Sequence, residues 1–145
     1  MPTIDYHKLG RLLSSVCRLY RTRADRAMDK LGLYRGQGVL LMTLAQQDGM
    51  TQSEIAEKLH ISLAAATKVI RRMEQAQHLQ RRADAADARV SRVYLSDQGR
   101  ALTAKICAAF GSLDRSMLAG LSLADLERLH DLLTRMQANL QHFEP

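Results

Sequence analysis

Proline is almost missing from this sequence: of 145 residues, only positions 2 and 145 carry it. The main helix breaker is therefore excluded from the interior, and long uninterrupted helices are allowed. Cysteine is nearly as scarce. Cys17 and Cys107 stand far apart in no CxxC pattern, so the expectation is a cytoplasmic chain with reduced thiols. No apolar run approaches the roughly 20 residues that span a bilayer, and no membrane segment is expected. The opening "MPTIDYHKLGRLL" carries an acid and no apolar h-region, so no signal peptide is expected either. Repeats, low-complexity tracts and linkers are missing, which leaves residues 1–145 reading as one domain. His7, His60, His78, His130 and His142 share no metal-ligand spacing, so neither a metal nor a cofactor is expected. A nucleophile with its base and orienting group cannot be assembled, which argues against an enzyme.

What the chain does have is positive charge. The net charge is +6 and the isoelectric point about 9.7, a balance that points to nucleic acid or another anionic surface. The excess is uneven. Residues 1–35 carry eight Lys/Arg against three Asp/Glu, and residues 60–92 carry seven against three. The stretches 36–59 and 93–145 are slightly acidic. Two segments therefore hold the positive charge, and charge alone does not choose between them.

Apolar spacing supplies the framework. Leu9, Leu12, Leu13, Val16, Leu19, Tyr20 and Met28 recur at steps of three and four, which predicts a long helix over 4–31 with Gly32 as its stop. A second helix is expected over 35–47, with Gly36 and Gly38 softening its start by about 1 kcal/mol each. Thr51 followed by Glu54 is a capping box, which opens a short helix that buries Ile55, Ala56 and Leu59. After a tight turn, Ser62 caps a further helix with Ala66, Val69, Ile70 and Met73 inward and its basic residues outward. Residues 81–99, "RRADAADARVSRVYLSDQG", break the pattern and read as a β-hairpin. From Ser96 a long helix runs to about residue 119 with Leu102, Ile106, Phe110, Leu113 and Met117 in phase. Ser122 with Asp125 repeats the capping pattern, and Leu126, Leu129, Leu133, Met136 and Leu140 form a seam suited to another helix, including one from a second subunit.

A short capped helix, a tight turn and a second helix with a basic outer face make a helix-turn-helix. In that motif the second helix enters the major groove while the first crosses the backbone. A hairpin directly after it can act as a wing, whose Arg reaches the negative potential of a minor groove.

These residues carry a family resemblance. Gln37, then "MTQSEIAEKLHIS", then "SLAAATKVIRRMEQAQHLQRR" and above all "DARVSRVYLSDQG" resemble the MarR family of winged-helix transcription regulators. The last stretch fits the wing pattern D-x-R, five residues, L-[T/S]-x-x-G, with Asp87, Arg89, Leu95, Ser96 and Gly99 in register. The fold implied is mainly α with a small β-hairpin wing: a winged helix-turn-helix core over about 33–99, and dimerisation helices over 4–31 and 97–143. The resemblance implies a cytoplasmic homodimer on a pseudo-palindromic double-stranded DNA operator, acting as a repressor, the family's commoner habit. It places the recognition helix from Ser62 to about Gln77, with Ser62, Ala64, Ala65, Thr67, Lys68, Arg71 and Arg72 toward the groove. Arg89 is the expected minor-groove contact with Asp87 setting its direction, and Arg81, Arg82 and Arg92 are expected on phosphates, which position without specifying.

Three positions depart from the family. Ala64 and Ala65 stand where Ser or Thr is common, which shifts base readout toward methyl contacts. Ala88 replaces a frequent second wing Arg. Gln77 occupies the place of a helix-ending Gly, so either the helix ends differently or that residue is strained. The resemblance further implies release by a small phenolic or other lipophilic effector, with Tyr20, Arg21, Tyr34 and Met42 nominated for its pocket from their place near the junction of helices. Alternatives are a MarR-type oxidant sensor acting through Cys17, with Cys107 as a second thiol, against two buried structural thiols, and a helical protein-interaction module without DNA binding. Steep salt dependence of binding separates the last from a DNA-binding regulator.

Overall fold

The computed structural model describes residues 4–143, and six helices and three strands account for most of them: α1 Tyr6–Lys30, α2 Arg35–Gln46, β1 Met50–Thr51, α3 Gln52–Lys58, α4 Leu63–Gln75, β2 Leu79–Ala83, β3 Ser91–Leu95, α5 Asp97–Met117 and α6 Leu123–Gln141. The predicted helices are all present, each ending within a few residues of its sequence-derived limits. Two compact units divide the chain, 1–110 and 111–145.

Helix ends are set by local chemistry. The Thr51 hydroxyl accepts from the Glu54 N–H at 3.2 Å while the Glu54 carboxylate accepts from the Thr51 N–H at 2.7 Å. Both partners of the predicted capping box are thereby satisfied. Gln37 caps α2 in a similar way, its side-chain oxygen accepting from the Tyr34 N–H at 3.0 Å. In the second unit, Ser122 and Asp125 exchange the same pair of bonds at the start of α6. Gly38 does more than soften a helix: a Cβ there would meet the Met28 sulfur at 2.6 Å, so its bareness lets α1 lie close on α2.

The core of the first unit gathers Leu40, Leu41 and Leu44 from α2, Ile55 from α3, Ile70 and Met73 from α4, Val93 from β3 and Ile106 from α5, all fully buried. Hydrophobic burial of this kind supplies the main stabilisation of a small domain. Against it stands the first half of α1, where Leu9, Leu12, Val16 and Leu19 are exposed. No residue of α6 is buried, and Leu133 and Leu140 of its seam are exposed.

The hairpin has a third member. β3 pairs antiparallel with β2, Leu79 opposite Leu95 and Arg82 opposite Arg92, and also with β1, Met50 opposite Val93. The sheet order is β1-β3-β2. Two residues make β1, too few for an alternating pattern, which is why only the hairpin was legible. Among the described residues, no helix is long and apolar enough to cross a membrane.

Candidate nucleic-acid interface

α3 and α4 are joined by a turn whose geometry is fixed at both helix ends. Ile61 N–H reaches the Ala56 carbonyl at 3.0 Å and His60 N–H reaches Glu57 at 3.1 Å, with His60 left-handed at φ 53°. The pair of bonds is a Schellman closure, which satisfies carbonyls that the helix leaves open. Ser62 then starts α4, its hydroxyl accepting from the Ala65 N–H at 3.1 Å.

The far end of α4 closes the same way. His78 N–H bonds the Met73 carbonyl and Gln77 N–H the Glu74 carbonyl, both at 2.9 Å, with Gln77 at φ 62°. α4 therefore stops at Gln75, and Gln77 holds the left-handed position that a Gly fills without strain. The wing hangs from this corner. Ser96 Oγ donates to the Gln77 carbonyl at 2.6 Å and accepts from the Gly99 N–H at 3.0 Å, while Ser96 N–H reaches the His78 carbonyl at 3.0 Å. A Cβ on Gly99 would sit 2.0 Å from that carbonyl oxygen. The L-[T/S]-x-x-G end of the wing pattern thus joins the last turn of α4, the strand β3 and the first turn of α5 in one joint.

At the wing tip, residues 84–90 form a loop between the strands. Asp87 and Arg89 belong to this loop rather than to a strand. Asp87 Oδ1 accepts from the backbone N–H of Arg89 at 3.0 Å; it shapes the chain before Arg89 and does not touch the guanidinium. The organiser of the loop is Asp84. Its carboxylate accepts from the N–H groups of Ala86 at 2.8 Å and Asp87 at 3.0 Å, and binds Arg92 Nε. The Arg92 bond first, then those two backbone donors, hold the Asp84 carboxyl down at about 2, against an ordinary 3.8.

The basic residues fall into three groups. Arg81 Nε is paired with Glu74 at 2.7 Å, and Arg92 is tied to Asp84, to the Gly49 carbonyl at 2.9 Å and to Glu54 at 3.6 Å. Arg72 lies over the Tyr34 ring at 5.9 Å and Arg82 over the Tyr94 ring at 4.9 Å, both within cation–π reach. Lys68, Arg71 and Arg89 are exposed, and their side chains have no partner among the described residues. Arg92, expected on a phosphate, is engaged at the base of the wing. Thr67 is half-buried with its hydroxyl donating to the Leu63 carbonyl at 2.8 Å, whereas Ser62 and Ala64 are exposed at the first turn of α4.

The pocket nominations scatter. Tyr34 is exposed and stacks with Arg72, Arg21 is exposed on α1 and Tyr20 is half-buried there. Met42 packs on the core with its sulfur 3.7 Å from that of Cys107. None of the four lines the apolar groove of about 320 Å³ that opens between α2, α3 and α4, bounded by Val39, Leu40, Ile55, Leu59, Ala65 and Val69. Both cysteines are free and exposed; burial of the two thiols is the expectation that the structure overturns, because Cys17 lies among the exposed residues of the first half of α1 and Cys107 on an exposed face of α5.

Residues 33–91 match the model of the MarR family. The chain is 30% identical over 113 residues to the HTH-type transcriptional regulator YdgJ of Bacillus subtilis, an alignment covering 78% of this chain and 69% of that protein. This chain belongs to the MarR family. It is a transcriptional regulator, and its winged helix is the family's. A second relative, an HTH-type transcriptional repressor of Mycobacterium tuberculosis, is 28% identical across 94% of this chain and 98% of its own. A variant of MepR from S. aureus superposes with a TM-score of 0.79 at 26% identity, over 94% of this chain and 99% of that one. Another MepR variant, solved bound to an oligodeoxyribonucleotide, gives 0.65 at 26% identity over 95% and 99%.

Within this MarR regulator, two carboxylates escaped sequence reasoning. Asp84 begins a D-x-x-D run of the kind that forms Asx turns, a local signal that was there to use; its bond to Arg92 depends on hairpin register. Asp48 gave no such signal. It accepts from Leu95 N–H at 2.9 Å and from Arg100 at 2.7 Å, tying the α2–β1 turn to β3 and α5 across about a third of the chain.

Proposed function

We propose that this regulator binds a pseudo-palindromic operator as a homodimer, acts as a repressor and lets go when a small phenolic or other lipophilic effector binds. The observation that carries the reading is the joint at Ser96 and Gly99. It couples an outward-facing basic helix to a wing whose tip holds a partner-free Arg89. A rigid connection between a major-groove helix and a minor-groove arm is what a winged helix needs to read one site at two places.

In this reading residues 33–99 read DNA while 4–31 and 97–143 dimerise, which would cover the exposed stripe of α1 and the seam of α6. Ser62, Ala64, Lys68 and Arg71 face the groove, Arg89 enters the minor groove, and Arg72 and Arg82 approach the backbone from their tyrosine platforms. Arg81 is available to phosphate once it leaves Glu74, and Arg92 holds the wing that presents the others. Effector control runs through the groove behind α4, because Ala65 and Val69 line it from the recognition helix itself; a ligand of that size fits a site of a few hundred Å³.

The test is a mobility shift on DNA flanking this protein's own gene, across a salt series and with candidate phenolics. Arg89→Ala should weaken binding by roughly 5- to 100-fold, as a groove contact, and Arg72→Ala should weaken it across sequences and lower the salt slope by about one, both with the oligomer intact. Wild-type affinity in both variants would remove the assignment. Binding indifferent to salt would favour a protein-interaction module.

A further inference from the structure

We infer that this regulator identifies its operator by the C5-methyl groups of thymine in the major groove, read by Leu63 with Ala64. The inference rests on the DNA-binding reading above and concerns what α4 can distinguish once it is in the groove.

In a helix-turn-helix the first residues of the second helix meet the base edges. Side chains that read bases by hydrogen bonds need free donors or acceptors there. On α4 the two hydroxyls are partly committed to the protein. Ser62 Oγ accepts from the Ala65 N–H at 3.1 Å and keeps its own O–H to donate, whereas Thr67 Oγ1 donates to the Leu63 carbonyl at 2.8 Å with the residue half-buried. Asn, Gln and acids do not occur between Ser62 and Met73, and the side chains that can read guanine, Lys68, Arg71 and Arg72, come a turn or more further along the helix. What the first turn offers beside Ser62 is hydrocarbon. Leu63 is 53% exposed and Ala64 is exposed beside it, the first partner-free cation following only at Lys68.

A single exposed leucine is ordinary on a protein surface. This one occupies the first helical position of the recognition helix, with Lys68 and Arg71 further along the same helix to draw DNA in. Thymine is the base that presents a methyl in the major groove, beside its O4 acceptor. Covering that methyl with Leu63 buries apolar surface on both sides. The expected gain is about four-fold in affinity per methyl, the value of one buried methylene. The cations Lys68 and Arg71 supply attraction and contacts to guanine, and the leucine adds the discrimination for thymine.

Uracil tests this cleanly, because it removes the methyl and leaves every hydrogen-bonding group of thymine in place. The full-length chain selects binding duplexes from random-sequence DNA, and uracil then replaces each half-site thymine in turn, affinity being followed by fluorescence anisotropy at fixed salt. At one or two thymine positions per half-site, uracil should weaken wild-type binding about four-fold. Leu63→Ser should bind the thymine duplex with a similar loss, lose the preference for thymine over uracil, and keep the wild-type salt slope. Leu63→Ala provides the same comparison if the serine variant misfolds. Wild type that tolerates uracil at every position, or leucine variants that retain the full thymine preference, would overturn the inference. If no duplex is selected at all, the DNA-binding reading itself fails and takes this one with it.

Discussion

Gln77 gives the sharpest stability prediction. Its backbone sits at φ 62°, a region where a Cβ crowds the neighbouring carbonyl at a cost of about 1–2 kcal/mol. It stays there because the N–H groups of Gln77 and His78 close the end of α4 and because its carbonyl accepts from Ser96. Its side chain is exposed and makes no hydrogen bond among the described residues. Gln77→Gly keeps all three backbone interactions and removes the crowding. Against that gain stands the greater freedom of glycine in the unfolded chain, worth about 0.4–1 kcal/mol. The balance is a stabilisation of roughly 0.5–1 kcal/mol, or about 2–4 °C in Tm for a chain of this size. Urea unfolding at fixed protein concentration should show a higher midpoint with an unchanged slope. Gln77→Asn should fall between, since Asn tolerates the left-handed region better than Gln. A glycine variant no more stable than wild type would show that the conformation is not strained, or that the Gln77 side chain contributes something no bond accounts for.

The joint and the wing give two more tests. Gly99→Ala should be severely destabilising, roughly 3 kcal/mol or more, because the new Cβ would lie 2.0 Å from a backbone oxygen that cannot yield; chemical denaturation, or loss of soluble protein, reads this out. Asp84→Asn should loosen the wing while the helices stay folded, seen as faster hydrogen exchange at the amides of Ala86 and Asp87. In the wild type, the Asp84 carboxyl has a folded value of about 2, below its ordinary 3.8. The ionised form therefore favours the closed wing: its contribution is complete above about pH 4 and fades as pH falls from there through 2. The Asn variant should lack that acid limb.

Much of this regulator was written locally. Absence of interior proline, apolar steps of three and four, and the pairs Thr51–Glu54 and Ser122–Asp125 determine six helices, because periodicity and capping involve residues within one or two turns of each other. The wing pattern was legible for the same reason, its Leu95, Ser96 and Gly99 being spaced to end a strand and begin a helix. Leu63 stood in plain sight as an apolar residue; only the fold placed it exposed on the first turn of the recognition helix.

What tertiary structure alone decided is the fate of the charges. Sequence gives Arg71, Arg72, Arg81, Arg82, Arg89 and Arg92 the same chemistry, and it groups Arg92 with the phosphate contacts. The fold separates them. Hairpin register sets Arg92 against Asp84, the return of β2 along α4 sets Arg81 against Glu74, and tyrosines from the cap of α2 and from β3 lie under Arg72 and Arg82. Asp48 is the extreme case, joined to Leu95 and Arg100 about fifty positions away. Electrostatic pairing acts over a few ångströms of space, and no local period in the chain encodes which distant segments will come that close. The sequence by itself determined the helices and the wing; packing determined which of their cations remain free for another molecule.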